Sequence, residues 1–320
     1  MHKSTPLIPQ EIYLLERYSS LEYFGRMRDE FAACVKAAED ALAEFMKNLP
    51  ADYRSRREFD QPDQVWGERV IPNLQWALQG LNEGYVLLSR GDADVLGMAG
   101  NVDTSFASMS RDYYVADWMP EPFRSIYLQH KPEAWAMSSN ICHTQQGNWA
   151  VGDLTNFYHT GARGILHSPA SWPLYRLNTA IRVKTDEKVP QNGVYLPDVP
   201  NSCAEFLIEG YEAWEANVMN HPENLDDRSF TSQPTVWTLI ERIADSGGGT
   251  GCGPQGESEN SKRRSNVPAN QHCPEAGWWF TPAQANSHRY FKQGETMPSV
   301  GGDYGDTYWQ WSPDQSAPTL

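Results

Sequence analysis

The chain has 320 residues, of which 40% are hydrophobic, 12% are aromatic and 21% are charged. This composition is too apolar for a disordered protein, and no apolar run approaches the length needed to cross a bilayer, which argues against a membrane protein. The formal net charge of -15 opposes binding to nucleic acid, because phosphates need cations. It is consistent both with a basic protein partner and with a charge that only keeps the protein in solution.

The N-terminal residues and the cysteines indicate a cytoplasmic protein. Charges at Glu11, Glu16 and Arg17 interrupt the apolar stretch that a secretion signal would need. The 5 cysteines are scattered and odd in number, which argues against a disulfide framework and suits a reducing compartment. We therefore expect localisation in the cytoplasm.

No metal or cofactor is expected. The best candidate ligands for zinc do not have the spacing of paired zinc ligands, and no other motif indicates a cofactor. These candidate ligands are Cys252, His272, Cys273 and His288.

The first part of the chain is predicted to be helical. A second helix is predicted over residues 62–89, with Pro72 kinking it or marking its first turn. A further helical pattern is broken at Pro120 and Pro122. The first long helix, which ends near Pro50, has apolar residues in steps of three and four. Its apolar face consists of Phe24, Met27, Phe31, Cys34, Ala38, Ala41 and Phe45.

Helical patterns also recur in the middle of the chain. The hydrophobic spacing favours a short helix near residues 151–160 and further helices at 168–184, 204–220 and 235–245. Residues 1–245 are therefore predicted to form a helical, bundle-like body.

The C-terminal part differs in composition. Residues 246–272 are rich in Gly, Ser, Asn and Pro, which predicts a flexible linker. Residues 273–320 are rich in Trp and Gly and predict a small β module with strands at 278–280 and 308–311. So small a module needs aromatic residues in its core, so Trp309 and Trp311 are expected to be buried. The predicted fold class is mainly α, with a small β-rich aromatic module at the C-terminus.

No strong catalytic motif is present. The chain lacks a phosphate-binding glycine loop, an HExxH helix and a GxSxG elbow. The densest set of reactive side chains lies at 142–168, where Cys142 adjoins a histidine and a triad or a two-histidine site can be drawn without any one nucleophile standing out. The set comprises His143, Asp153, His159, His167 and Ser168.

Two pairs of carboxylates are expected to be ordinary solvated charges on helix surfaces. They are Glu11 with Glu16, and Glu209 with Glu212. Cys34 lies in the apolar stripe of the first helix, and we expect it in the core.

Short motifs in the C-terminal module carry a family resemblance. They are Cys273-Pro274, Gly277-Trp278-Trp279, Gly294-Glu295, Met297-Pro298 and Trp309-Gln310-Trp311. This segment resembles the C-terminal part of immunity proteins of bacterial polymorphic-toxin and type VI secretion systems. The N-terminal LLERYSSLEYFGRMRD and the stretch GNWAVGDL are similar to the helical immunity families of those systems.

The resemblance implies a non-enzymatic inhibitor that binds and neutralises a cognate toxin encoded next to it. No catalytic residue is expected on this interpretation, and partner contacts are expected from aromatic anchors. The alternatives are a hydrolase that uses the stretch 142–168, or an adaptor or structural protein of a secretion system. The candidate partner-binding residues are Trp118, Trp149, Asp153, Trp278, Trp279, Tyr304 and Tyr308.

Overall fold

The computed structural model describes residues 5–112, 116–169, 171–222, 224, 228–248, 267–281, 287, 289–300 and 307–311. The chain forms two compact units, which we call unit 1 (Met1–Ile243) and unit 2 (Ala244–Leu320). Most of the predicted linker, residues 249–266, lies outside the described residues.

The described helices belong to unit 1. The α-helices are α1 (Pro9–Tyr18), α2 (Leu21–Phe45), α3 (Ile71–Leu88), α4 (Gly100–Asp112), α5 (Phe123–Gln145) and α6 (Thr160–Arg163). A π-helical segment (Asp63–Val70) leads into α3, and short 3-10 helices cover Tyr53–Ser55, Glu58–Asp60, Ala93–Ala99 and Ala116–Trp118. None of the helices in the described part of the chain is both long enough and apolar enough to cross a bilayer.

The helical predictions for the first part of the chain are largely confirmed. The α2 stripe from Phe24 to Ala41 is buried in the main core, and Cys34 is fully buried there. Ser20 separates α1 from α2, because its side-chain oxygen caps α2 by accepting a hydrogen bond from the Tyr23 backbone N–H at 3.1 Å. Pro72 lies in the first turn of α3, where the π-helical segment ends.

Unit 1 also contains strands. They are β1 (Trp172–Lys184), β2 (Gly193–Pro197), β3 (Glu205–Leu207), β4 (Ala216–Met219), β5 (Phe230–Gln233) and β6 (Val236–Gly248), the last of which extends past the boundary between the units. Four of them form a sheet in the order β1-β6-β2-β3, in which β2 is antiparallel to both β3 and β6. β4 and β5 form a separate antiparallel pair.

The mainly α prediction is therefore wrong, and the fold is mixed. The segments 168–184, 204–220 and 235–245, predicted as helices, supply strands β1, β3, β4 and β6. Strands β2 and β3 are buried on both faces, so they are short runs of apolar residues rather than an alternating pattern, whereas β1 is exposed or half-buried along most of its length. Such short runs cannot be told from helical ones by spacing alone. The face toward the main core carries Val194, Leu196, Phe206 and Ile240, and the opposite face carries Tyr195, Leu207, Trp237 and Leu239.

Unit 2 is built on a small sheet. Its strands are β7 (Val267–Pro268), β8 (Gly277–Phe280), β9 (Arg289–Phe291) and β10 (Tyr308–Trp311), in the order β7-β10-β8-β9. The two predicted strands correspond to β8 and β10, and β7 lies within the segment predicted as linker. Trp309 is buried as predicted, and the side chain of Trp311 lies outside the described set. The core of unit 2 comprises Cys273, Trp279, Phe291, Met297 and Trp309.

Candidate partner-binding site

An exposed tryptophan stands beside a groove between α3 and α4. Trp76 is 70% exposed, although a residue this large and apolar is usually buried. The adjoining cavity has a volume of about 200 Å³, and every side chain that lines it is uncharged. Apart from Trp76 these are Val70, Asn73, Leu74, Asn101, Thr104, Ser105, Ser108 and Met109. An uncharged patch with an aromatic anchor is the composition found at the centre of protein interfaces.

The sequence pattern of α3 explains why Trp76 faces outward. Val70, Leu74, Ala77 and Leu81 form the buried stripe, and Trp76 lies outside this spacing. A tryptophan off the apolar stripe of an amphipathic helix is a signal that sequence analysis can detect, although we did not predict Trp76.

Two of the sequence-predicted partner residues, Trp118 and Trp149, pack inside unit 1. Trp118 is half-buried and contacts the rings of Phe45 and Trp66, with centroids 5.9 and 5.2 Å away. Trp149 is only 1% exposed, and its indole N–H donates a hydrogen bond to Thr144 Oγ1 at 3.1 Å. Their contacts stabilise the fold, and Trp149 is too deeply buried to contact a partner, whereas Trp118 keeps part of its surface exposed.

Asp153 is engaged within unit 1 as well. Its Oδ2 accepts a hydrogen bond from the Ala150 backbone N–H at 3.0 Å, which closes the turn after Trp149. Its Oδ1 forms an ion pair with Arg228. These contacts give the carboxylate a local structural role.

In unit 2, Trp278 and Trp279 point to opposite sides of β8. Trp279 is fully buried, whereas Trp278 is half-buried and packs edge-to-face against Tyr290, with ring centroids 5.8 Å apart. Of this pair, only Trp278 is placed for contact with a partner. Tyr304 and the side chain of Tyr308 lie outside the described residues.

The His-rich stretch does not form a triad. His143 Nδ1 lies 2.8 Å from the Ser139 carbonyl oxygen, and His159 accepts a hydrogen bond from the Ala162 backbone N–H and so caps α6. His167 lines a separate cleft. In the part of the chain that the structure describes, no hydrogen bond joins these histidines to one another or to Ser168.

The environment of the Cys142–His143 pair does not activate a nucleophile. Burial raises the pKa of the Cys142 thiol to about 11, so at neutral pH the sulfur keeps its proton. Burial and the nearby Arg163 guanidinium lower the pKa of His143, which favours the neutral imidazole. A half-buried thiol that keeps its proton is a poor nucleophile.

Two buried carboxyl groups were missed by the sequence analysis. Glu11 and Glu205 are each 3% exposed, so the expectation of a solvated Glu11 is wrong. Glu11 Oε1 accepts a hydrogen bond from the Ala204 backbone N–H at 2.7 Å. Glu11 precedes Leu14, Leu15 and Tyr18 by three, four and seven residues, which places it on the buried face of α1. From that spacing the burial of Glu11 could have been predicted.

Among the described residues, no group of three or more His, Cys, Asp or Glu side chains could hold a metal ion, whereas Cys252 and His288 lie outside that set. The four described cysteines, Cys34, Cys142, Cys203 and Cys273, are free thiols. No protein-family model, curated protein or solved structure matches the chain.

Proposed function

We propose that the protein is an immunity protein that binds a cognate bacterial toxin and neutralises it by direct complex formation in the cytoplasm. The observation that carries the proposal is the exposed Trp76 beside an uncharged groove. The resemblance of the unit 2 motifs to immunity proteins supports a toxin as the partner.

The surface chemistry supports binding at the Trp76 groove. Burial of the exposed Trp76 indole in a complex removes a large apolar area from water. Tryptophan is also among the residues that contribute most to the free energy of binding. The hydroxyl and amide side chains of the groove offer hydrogen bonds without the cost of desolvating a charge. The net charge of -15 steers a basic toxin toward the protein.

The properties of the His-rich stretch favour a binder over the hydrolase alternative. A hydrolase needs an activated nucleophile within reach of a base, and Cys142 is a half-buried thiol with a raised pKa. His143 and His159 are committed to hydrogen bonds with the backbone. An inhibitor requires only a rigid scaffold and a complementary surface.

The test of the function is co-expression with the protein encoded by the gene next to its own, scored by survival of the host. Rescue of a host that the neighbour alone kills, together with co-purification of the two proteins, is the expected result. A toxic neighbour that is neither bound nor neutralised would refute the proposal. In that case substitution of His143, Asp153 and His167, with a screen for hydrolysis, is the next step.

The Trp76→Ala variant should bind the toxin about a hundredfold more weakly than the wild type, because loss of an aromatic anchor costs roughly 2–4 kcal/mol of binding free energy. Isothermal titration calorimetry on the purified pair measures the change in Kd. Phe59→Ala is the matched control, because Phe59 is also 70% exposed and does not line the groove. Equal affinities for wild type and Trp76→Ala would exclude the groove as the binding site.

The rate of association with the toxin should fall by about tenfold or more between low and high salt, because ions screen the attraction between an acidic protein and a basic one. Stopped-flow mixing at a series of sodium chloride concentrations measures this rate. A rate that does not depend on salt would show that the partner is not basic.

A further inference from the structure

A cleft in unit 1 gathers three arginines in an otherwise acidic protein. A cavity of about 310 Å³ is lined by the end of α1, the start of α2 and the segment after α6. A smaller cavity shares Arg17, Tyr23, Arg26 and His167 with it and adds Arg163. We call these five residues the arginine cleft.

The arginines of the cleft have unused capacity to bind an anion. In the described part of the chain, neither Arg17 nor Arg26 forms an ion pair, whereas Arg28 and Arg242 pair with Asp29 and Glu16. The Arg17 guanidinium lies 5.4 Å from the centre of the Tyr23 ring, and this stacking leaves its N–H groups free at the edges.

Acidic residues do not neutralise the cleft. Glu22 and Glu133 also line it, but neither approaches a cleft arginine within ion-pair distance in the described structure. Three arginines therefore stand against two carboxylates, which leaves a local excess of positive charge, and of the three the Arg163 guanidinium also packs over the Trp149 ring at 4.6 Å and donates a hydrogen bond to Ser139 Oγ at 3.3 Å. In a chain with a net charge of -15, such an excess requires an explanation.

A buried hydroxyl group in the cleft lacks an acceptor. Tyr23 is 5% exposed, and its oxygen accepts a hydrogen bond from Asn140 Nδ2 at 2.9 Å. Asn140 Nδ2 also donates to the Arg163 carbonyl oxygen at 2.9 Å, which fixes the orientation of the amide. Among the described residues the Tyr23 hydroxyl proton therefore has no acceptor. A buried donor without an acceptor costs free energy that an oxygen atom of a ligand would recover.

We propose that the arginine cleft binds the phosphate group of a small phosphomonoester. Guanidinium groups match phosphate through paired N–H···O contacts, and Tyr23, which lines the cleft, adds a neutral hydroxyl donor. A phosphate presents three terminal oxygens and two charges, so it uses these donors more fully than a single carboxylate does. The rest of the cavity accommodates the organic part of the ligand. This inference does not depend on toxin binding.

Titration calorimetry of the full chain with inorganic phosphate and with adenosine monophosphate tests the proposal. We expect saturable binding of both, tighter for the monophosphate. Arg26→Ala and Tyr23→Phe should each weaken binding by about tenfold, since a hydrogen bond to a charged group is lost in each case. Arg57→Ala is the control, because Arg57 is an exposed arginine that does not line the cleft.

Neither variant is expected to disturb the fold, so a loss of binding can be attributed to the cleft. Arg26 is exposed, and Tyr23→Phe retains the buried ring, so circular dichroism should be unchanged for both. The proposal is wrong if neither phosphate compound binds at millimolar concentration, or if both variants bind as the wild type does. Binding of glutamate as tight as that of phosphate would also overturn the assignment of the ligand class.

Discussion

The Glu11→Gln variant is expected to exceed the wild type in free energy of unfolding by about 3 kcal/mol near pH 8. Burial raises the pKa of the Glu11 carboxyl from 4.5 to about 7, against the opposing effect of the hydrogen bond from the Ala204 N–H. At this pH the folded wild type either buries an ionised Glu11 carboxylate or keeps the carboxyl protonated although the pH favours its ionisation. Both cost free energy. A glutamine keeps the oxygen that accepts from Ala204 and carries no charge.

The direction in which stability changes with pH depends on whether the folded or the unfolded chain holds the Glu11 proton. Between pH 4.5, where the carboxyl ionises in the unfolded chain, and about pH 7, the folded protein retains a proton that the unfolded chain has released. The free energy of unfolding of the wild type therefore falls as the pH rises through this window, and the loss is complete above it. Near pH 5 the two proteins should differ by less than about 1 kcal/mol.

The Glu11 carboxyl also affects the pKa of Glu205. Burial raises its pKa well above the usual value, and the nearby Glu11 carboxyl raises it further. Two carboxyl groups in one buried site cannot both ionise without a large cost, so they titrate as a pair. Removal of the Glu11 charge should also ease ionisation of Glu205.

Urea unfolding followed by the far-ultraviolet circular dichroism of the helices measures the effect, because the described helices all belong to unit 1. Glu83→Gln, on the exposed side of α3, is the control and should change stability by less than about 0.5 kcal/mol at either pH. A Glu11→Gln variant that is no more stable than the wild type near pH 8 would contradict the burial of an ionisable group at this position.

The sequence was sufficient to predict the helices that carry long apolar stripes. The spacing of Phe24, Met27, Phe31 and Cys34 reports a local property, because a helix satisfies its own backbone hydrogen bonds. The central sheet could not be predicted in the same way. Strand β6 pairs with β2, about forty residues earlier in the chain, and nothing local in the sequence of either strand identifies its partner.

The candidate sites were harder to predict from the sequence than the sheet, because each site joins distant parts of the chain. The arginine cleft brings Arg17 and Arg26 together with Arg163 and His167, and no short motif contains all four. Conversely, the dense 142–168 stretch suggested a site, but its residues make separate local contacts. Proximity in sequence was a poor guide to proximity in the fold.

Trp279→Ala is expected to unfold unit 2, whereas Trp278→Ala should leave it folded. Trp279 is fully buried among Cys273, Phe291, Met297 and Trp309, and its indole N–H donates to the Glu275 carbonyl oxygen at 3.2 Å. Truncation of a buried tryptophan costs about 3–5 kcal/mol, which approaches the whole stability of a small domain. Hydrogen exchange of the β8 and β10 amides in the full chain, followed by mass spectrometry, should show loss of protection for Trp279→Ala alone.

Trp278 serves as the matched control because it adjoins Trp279 in the sequence and lies on the other side of the strand. Its ring packs on Tyr290, which is 50% exposed, so Trp278→Ala should cost no more than about 1.5 kcal/mol. If unit 2 also holds the toxin, Trp278→Ala will weaken binding while the protection of the β8 and β10 amides persists. Unchanged amide protection in Trp279→Ala would contradict a core centred on this residue. Equal loss of protection in both variants would show that the two faces of β8 are not distinct.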